Sequence, residues 1–239
     1  MNEKPKLYLI PSPLGDNPVQ EVVSEKVLRC AASLEIFVVE QVRTARRVLS
    51  RYGLKGRIDS LEFHELNEHT TLQEVKALLE LFKRGSVGLI SEAGLPAVAD
   101  PGALLVDLCH RNGISVVPLV GPSSLMMALM SSGLNGQKFT FNGYLSAKTE
   151  ERRKQLRELE KTALRDHCSQ LFIETPYRND ALFADILSVL SPSMRVCVAA
   201  DITLESEFIL CDSVQNWRKK QDFKIGKRPC VFIISESLI

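Results

Sequence analysis

The sequence predicts an α/β protein made of two domains, each with a β-sheet flanked by helices. Short apolar runs alternate with helical patterns as far as Gly133, which is typical of a mostly parallel sheet covered on both faces. A turn-forming segment at 135–138 then precedes a second series of strands and helices. We therefore expect an N-terminal domain over residues 1–134 and a C-terminal domain over residues 135–239.

The elements follow from apolar periodicity and from chain-breaking residues. In the first domain, strands are predicted at 7–10, 36–39, 87–91 and 114–117, and helices over 22–31, 45–52, 72–82, 104–111 and 125–132. Thr71 and Glu74 form a capping box at the start of the third of these helices. In the second domain, strands are predicted near 139–144, 171–174, 196–200, 207–210 and 230–234, and helices over 150–165 and 182–190.

Composition and charge exclude several classes of protein. Hydrophobic residues make up 45% of the chain and charged residues 25%, so a globular core is expected. The net charge of +1 gives no overall attraction to nucleic acid, so such a partner would have to meet a local patch. The six cysteines include no C-x-x-C pair and are expected to be reduced, as in the cytoplasm. No signal peptide is predicted, and Pro118 and Pro122 interrupt the longest uncharged run, so no membrane contact is expected.

Several common catalytic motifs do not occur in the sequence. Neither G-x-G-x-x-G nor G-x-x-x-x-G-K-[ST] is present, which counts against a Rossmann dinucleotide site and a P-loop. The nucleophile elbow G-x-S-x-G is also missing. His64 and His69 have the wrong spacing for the two histidines of a helical zinc site, so we expect no metal.

Loops of small residues follow three of the predicted strands, at 11–16, 91–102 and 120–124. Such a loop, where it leads into a helix, exposes backbone N–H groups that favour an anion such as a carboxylate. Gly94 and Gly121 have no Cβ and would let a ligand approach the backbone closely. Because ligands of parallel sheets bind beyond the carboxyl ends of the strands, these loops predict a site for a small polar cofactor.

The order and spacing of these loops and of several further motifs carry a family resemblance over about residues 7–234. The motifs are Pro13-Leu14-Gly15, Glu40 with Arg43, Phe63-His64-Glu65-Leu66-Asn67-Glu68, Ala93-Gly94, Asp100-Pro101-Gly102, Gly121-Pro122-Ser123, Ser132-Gly133-Leu134, Gly143-Tyr144-Leu145 and Glu174-Thr175-Pro176-Tyr177-Arg178. The chain thus resembles the tetrapyrrole methylase superfamily, and within it the bacterial 16S ribosomal RNA cytidine 2′-O-methyltransferases.

The resemblance implies two α/β domains, S-adenosyl-L-methionine bound in the cleft between them, and a homodimer. Together with Gly94 and Gly121, the implied cofactor contacts are Leu14, Leu95, Val98, Ser123, Ser124, Ile173, Ala200 and Pro229. The chain departs from the usual E-D-T-R of this branch at Gln41 and Val42, and from its D-A-G-T-P at Glu92 and Leu95. Ala200 stands where an arginine is expected. The pattern therefore indicates a retained cofactor site and an altered acceptor site.

A ribose 2′-hydroxyl is a poor nucleophile, so its methylation benefits from a nearby proton acceptor. Glu40, at the end of the second predicted strand, is the first candidate, with Arg43 one turn further on. The alternative is that these two residues form an ion pair that braces strand and helix. Asp100 and Glu65 are second candidates, and Asp100 is equally suited to cap the helix that follows it.

Substrate contacts are expected from both domains. The candidates are His64, Glu65, Asn67, Lys148, Arg152 and Arg178. His64 and Asn67 either contact the acceptor or order their loop. The predicted helix 150–165 carries six cations, which either contact RNA phosphates or form a salt-bridged surface. The expected partner is RNA or a ribosomal subunit.

Two other functions remain open at this point. One is a small-molecule methyltransferase of the corrin or porphyrin type, which a walled apolar cleft would favour. The other is a non-catalytic protein that keeps the fold and binds a partner, which an occluded cleft would favour. A flat basic rim would favour RNA.

Overall fold

Five parallel strands form the sheet of the first of two units into which the chain divides, Met1–Ser123 and Ser124–Ile239. The structure, a computed structural model, describes residues 4–237. The strands of the first unit are β1 (Lys6–Ile10), β2 (Ile36–Val39), β3 (Glu62–Glu65), β4 (Val87–Ile90) and β5 (Ser115–Pro118), in the order β3-β2-β4-β1-β5. The helices are α1 (Val19–Val22), α2 (Glu25–Ala32), α3 (Val42–Leu49), α4 (Leu72–Ala77) and α5 (Gly102–Arg111).

The sheet of the first unit is covered on both faces, as predicted. Successive residues of a strand point to opposite faces, and β2 illustrates this. Phe37 and Val39 join a core cluster with residues of α2 and α3, whereas Ile36 and Val38 join a second cluster with residues of α4 and α5. Strands β2 and β4 are buried at every position, which is why they could be recognised as continuous hydrophobic segments, whereas β1 is partly buried and no residue of the edge strand β5 is buried.

The edge strand β3 was not among the strands predicted from the sequence. Three of its four residues, Glu62, His64 and Glu65, are polar, and none of the four is buried. Strand β3 pairs in parallel with β2 along its whole length. An edge strand that faces solvent needs no apolar residues at regular spacing, so hydrophobic periodicity could not indicate β3.

The second unit contains a mixed five-stranded sheet in the order β6-β7-β10-β8-β9. Its elements are α6 (Ser124–Ser132), β6 (Phe139–Tyr144), α7 (Thr149–Asp166), β7 (Ser169–Glu174), α8 (Asn179–Val189), β8 (Arg195–Ala200), β9 (Phe208–Ser213), α9 (Val214–Trp217) and β10 (Cys230–Ser235). Strands β6 and β7 are parallel, and the other pairings are antiparallel. Phe172, Phe232 and Trp217 lie in its core.

The boundary between the units lies before α6, whereas the sequence placed it after Leu134. The reason is that α6 contacts strands β8, β9 and β10 of the second sheet. The turn at 135–138 therefore lies inside the second unit. All six cysteines carry free thiols. Between Lys4 and Ser237, no helix has both the length and the apolar character needed to cross a membrane.

Candidate active site

The loops after β1 and β4 are joined by hydrogen bonds beyond the carboxyl ends of these strands. The Ser12 N–H donates to the Gly94 carbonyl over 2.8 Å, and the Gly94 N–H donates back to the Ser12 carbonyl over 3.0 Å. The buried Ser12 hydroxyl donates to the Ser91 carbonyl over 2.8 Å. The two predicted cofactor loops therefore form one rigid unit. This bridge could not be predicted, because no local pattern in the segment Pro11-Ser12-Pro13 indicates a partner about eighty residues away.

The loop after β5 packs against these two hydrogen-bonded loops. A Cβ placed at Gly121 would lie 2.1 Å from Cβ and 2.4 Å from Cγ of Pro11. Gly94 has a φ of 74°, and a Cβ there would lie 3.4 Å from Leu14 Cδ2 and 3.6 Å from the Pro122 carbonyl. The absence of a side chain at Gly121 thus lets the loop contact Pro11, so its first role is packing between loops.

Asp100 organises the segment that runs from β4 to α5. Its carboxylate accepts the Ala97 N–H over 2.9 Å and the Gly102 N–H over 2.7 Å. Ala97 and Ala99 adopt left-handed backbone conformations, with φ of 65° and 61°, which these bonds help to maintain. Burial raises the pKa of Asp100, while the two backbone N–H groups oppose this rise. These contacts support its interpretation as a cap rather than as a base.

Glu40 lies directly after β2, as predicted, and is half-buried. The Glu92 N–H lies 3.4 Å from Glu40 Oε2. Desolvation raises the pKa of the Glu40 carboxyl, and the negative charges of Glu92, Asp100 and Glu68 raise it further, whereas the hydrogen bond from Glu92 lowers it. A carboxylate with a raised pKa is a stronger proton acceptor, so the environment suits Glu40 to act as a base.

The ion pair considered between Glu40 and Arg43 is not formed. Arg43 is exposed on α3 and forms no ion pair with any residue from 4 to 237. The start of α3 is held instead by Glu65, whose Oε1 accepts the Val42 N–H over 3.3 Å. Glu65 therefore connects β3 to α3 and brings a further carboxylate to the same end of the sheet as Glu40.

His64 and Asn67 both have partners within their own segment. His64 Nε2 lies 2.6 Å from Glu62 Oε1, and Glu62 also accepts two hydrogen bonds from the Arg84 guanidinium, of 2.7 and 2.8 Å. The Asn67 side chain accepts the His69 N–H over 3.0 Å. These contacts favour loop ordering as their role. His, Cys, Asp and Glu residues in the described part of the chain form no cluster that could hold a metal ion.

In the second unit, three of the predicted cofactor contacts lie at one end of the sheet. Ala200 is the last residue of β8 and pairs with Cys230, the first residue of β10. The Asp201 N–H donates to the Pro229 carbonyl over 3.0 Å. Ile173, near the end of β7, is opposite Val231. Each of the predicted contacts Leu14, Leu95, Ser123, Ser124 and Ile173 is partly exposed, and Val98 is 47% exposed.

Arg152 is not on the exposed face of α7, contrary to the expectation that it contacts substrate. Its side chain is 5% exposed and forms hydrogen bonds to Asp185 Oδ2 through Nε, at 2.8 Å, and through Nη2. Its Nη1 donates to the Ala147 carbonyl over 3.1 Å. The ion pair could not be predicted from the charges along α7, because Asp185 lies on α8, more than thirty residues away. Arg152 thus joins α7 to α8.

The exposed face of α7 is largely salt-bridged. Lys161 pairs with Glu158 at 2.8 Å and Arg165 with Asp166 at 2.7 Å, while Lys148, just before the helix, pairs with Glu151 at 3.0 Å. Lys154 and Arg157 are also exposed, and within residues 4–237 neither forms an ion pair. They are the cations of this helix that are available to a polyanion.

Arg178 is held by a buried carboxylate that the sequence analysis did not select as a site residue. Glu174 Oε1 accepts hydrogen bonds of 2.9 and 2.6 Å from Arg178 and one of 2.6 Å from the Thr175 N–H. Glu174 Oε2 is buried and has no partner among the described residues. The arginine remains 35% exposed, so its guanidinium is fixed at the surface rather than buried like that of Arg152.

Two known proteins of similar sequence carry the same name. No protein-family model matches the chain. The ribosomal RNA small subunit methyltransferase I of Vibrio cholerae is 32% identical over 209 residues, which are 87% of this chain and 68% of that protein. The protein of the same name from Thermotoga maritima is 30% identical over 221 residues, which are 90% of this chain and 93% of that protein.

Solved structures of other methyltransferases share the fold. The methyltransferase CobJ has a TM-score of 0.63 at 15% identity, covering 98% of this chain and 95% of that one. Uroporphyrin-III C-methyltransferase from Thermus thermophilus, complexed with S-adenosylhomocysteine, has a TM-score of 0.56 at 15% identity, with 97% of each chain covered. At this identity the likeness shows the fold alone. The resemblance inferred from the sequence is confirmed: the chain has the tetrapyrrole methylase fold and belongs to the ribosomal RNA small subunit methyltransferase I family.

Proposed function

We propose that the protein transfers the methyl group of S-adenosyl-L-methionine to the RNA of the small ribosomal subunit. The observation that carries the proposal is the set of three interlocked loops beyond β1, β4 and β5, in a chain that belongs to this family by sequence. The corrin and porphyrin enzymes share only the fold with it, so a small-molecule acceptor has weaker support.

The residues of the loops fit the cofactor. Gly94 has no side chain, and Val98 offers a half-exposed apolar surface beside two alanines. We assign cofactor contacts to these loops, to Ser123 and Ser124, and to Ile173, Ala200 and Pro229 of the second unit. The sulfonium of the bound cofactor supplies an already activated methyl group, so the protein needs chiefly to align the acceptor and exclude water.

Glu40 is the proposed proton acceptor for a ribose hydroxyl. Its raised pKa makes the carboxylate a stronger proton acceptor. Glu65 and Asp100 are weaker candidates because their carboxylates already accept backbone N–H groups. The loop that His64 and Asn67 order stays a proposed contact to the acceptor, as does Lys148, whose ion pair with Glu151 is exposed. Arg43 is available to a phosphate because it has no carboxylate partner among residues 4–237.

Substrate phosphates are proposed to contact Lys154 and Arg157 of α7. Both cations are exposed, whereas Arg152 is occupied by Asp185. Replacing Lys154 and Arg157 by glutamate should weaken RNA binding and lower the slope of log K against log salt by about 0.7–0.9 per lost phosphate contact. A ribosomal substrate would place the protein in the cytoplasm.

We also propose a homodimer, which the exposed Met126 and Met130 on α6 support. These side chains are 43% and 83% exposed and lie one turn apart, so they present an apolar strip to solvent. Light scattering coupled to gel filtration would give twice the mass of the 26.7 kDa chain. A monomer at micromolar concentration would contradict this part of the proposal.

The test of the function uses small ribosomal subunits from cells that lack this protein. The subunits are incubated with the purified chain and S-adenosyl-L-methionine carrying a deuterated methyl group, and the digested RNA is mapped by mass spectrometry. We expect the label at one position of the small-subunit RNA, and loss of labelling in Glu40→Gln. Transfer into a porphyrin precursor and never into RNA would contradict the proposal.

A further inference from the structure

We propose that Tyr177 and Lys227 form a preformed platform on which an unpaired nucleotide of the RNA substrate stacks. The inference rests on the proposed function and names a second place where RNA is bound, apart from the cations of α7. It lies at the end of the second sheet at which β7 ends and β10 begins.

Tyr177 is the exposed aromatic residue of the platform. Its side chain is 78% exposed, although burial of a tyrosine ring is normally favourable. The Lys227 ammonium lies 5.0 Å from the centroid of the ring. Within residues 4–237, Lys227 forms no ion pair, so the ring is its described partner. The pair thus presents an aromatic surface and an uncompensated positive charge together.

The first residues of α8 hold the segment that carries Lys227 through hydrogen bonds. The buried Asn179 amide donates to the carbonyls of Gly226 and Arg228, over 3.1 and 2.7 Å. Asp180 Oδ1 accepts the N–H groups of Ile225 and Gly226, over 2.8 and 3.3 Å. Four hydrogen bonds with two adjacent residues therefore hold the backbone on both sides of Lys227. Because this segment is already ordered, little conformational entropy is lost when RNA binds.

Two arginines follow the platform residues in the sequence, Arg178 after Tyr177 and Arg228 after Lys227, and each is paired with a carboxylate. Glu174 fixes Arg178, which remains 35% exposed. Arg228 is 42% exposed, lies 3.7 Å from Asp201 and stacks over the ring of Phe208 at 5.5 Å. An exposed ring together with cations is the arrangement that binds single-stranded nucleic acid, because bases stack on the ring while phosphates meet the charges.

This geometry favours an unpaired strand over a duplex. The bases of a duplex are stacked on one another and cannot offer a face to a side chain, whereas an unstacked base in a loop can. A protein partner would use the same exposed ring but would not depend on a free base. The preference for single-stranded RNA is therefore the property to measure.

The experiment measures the binding of two fluorescein-labelled RNAs, a short unstructured single strand and a blunt duplex of the same length, by fluorescence anisotropy. Tyr177→Ala should weaken single-strand binding by about tenfold, whereas Tyr177→Phe should retain it because the ring is kept. Lys227→Gln should lower the salt slope by about 0.7. Lys55→Gln, which removes an exposed lysine of the first unit, is the matched control and should change neither value.

Methylation of small ribosomal subunits separates this inference from the proposed function. If the wild-type chain methylates the subunits and Tyr177→Ala raises KM with little change in kcat, the platform is supported. Unchanged single-strand binding and KM in a folded Tyr177→Ala variant would overturn it, as would equal losses for single strand and duplex, or for Tyr177→Phe and Tyr177→Ala. A wild-type chain that binds the single strand through Tyr177 but methylates no subunit RNA would overturn the proposed function instead.

Discussion

Substitution of Gly121 by alanine tests whether packing between the loops determines cofactor binding. The added Cβ would lie 2.1 Å from Cβ of Pro11, whereas carbon atoms pack at about 3.5–4.0 Å. The two segments must therefore separate by roughly 1.5 Å. Pro11 cannot yield alone, because its neighbour Ser12 is hydrogen-bonded to Gly94 and Ser91 at 2.8–3.0 Å.

The expected cost follows from this displacement. Overpacking of a close contact destabilises a protein by about 1–3 kcal/mol, which for a chain of this length lowers Tm by roughly 2–12 °C. Because the displaced loop belongs to the proposed cofactor site, the affinity for S-adenosylhomocysteine should fall by at least tenfold, about 1.4 kcal/mol. Gly121→Val should be worse, since it adds two methyl groups to the same contact.

Titration calorimetry with S-adenosylhomocysteine measures the affinity, and thermal unfolding measures the stability. The matched control is Gly85→Ala in the same unit, because a Cβ at Gly85 would meet no atom within 4 Å. This variant reports the general effect of replacing a glycine. A folded Gly121→Ala protein with wild-type affinity would refute the reasoning, and so would an equal loss in Gly85→Ala.

Three further predictions concern ionisable side chains. Glu40→Gln should abolish methyl transfer yet stabilise the fold at pH 7.5, because the raised pKa of Glu40 in the folded state means that its ionisation costs stability above the unfolded pKa of about 4.3. At pH 3.5 the carboxyl is protonated in both states, so urea unfolding there should show no gain in stability for the variant. Arg152→Met should cost about 3 kcal/mol because it leaves buried Asp185 with less compensation, and adding Asp185→Leu should restore much of this in urea unfolding; equal stability of the single variant and wild type would contradict it. The neighbouring Cys197 thiol and Arg195 lower the pKa of the Cys211 thiol, so Cys211 should react fastest of the six thiols with iodoacetamide at pH 7.5, and Arg195→Gln should slow it; a rate unaffected by this change would show that Arg195 does not stabilise the thiolate.

Buried strands and their loops could be predicted because their signal is local. The run 36–39 is apolar at every position, and β2 spans the same residues. The capping box of Thr71 and Glu74 is formed as predicted, with the Glu74 side chain 2.7 Å from the Thr71 N–H. Strand β3 was missed because polar residues on an edge carry no such pattern, although its parallel pairing with β2 places Glu65 beside the start of α3.

The positions of the site residues depended on contacts that are distant in sequence. In the sequence, nothing distinguishes Arg152 from the exposed cations of α7, because its partner Asp185 lies on α8. Ser12 lies in a predicted cofactor loop, but its pairing with Gly94 joins segments about eighty residues apart and has no local pattern. By contrast, Asp100 was expected either to act as a base or to cap a helix, and its bonds to Ala97 and Gly102 favour the cap.

Three of the departures from the usual pattern of the family, at Gln41, Val42 and Glu92, are close to Glu40: two follow it in the sequence, and the Glu92 N–H lies 3.4 Å from its carboxylate. Gln41 Oε1 accepts the Thr44 hydroxyl over 2.7 Å, and the same hydroxyl lies 3.3 Å from Glu92 Oε1. Glu92 also raises the pKa of Glu40 through its charge. The contacts that hold the cofactor loops, Ser12 to Gly94 and Gly121 to Pro11, involve none of the altered residues. A change of acceptor in this chain would therefore act through the surroundings of the proposed base, while the cofactor loops keep the arrangement on which methyl transfer depends.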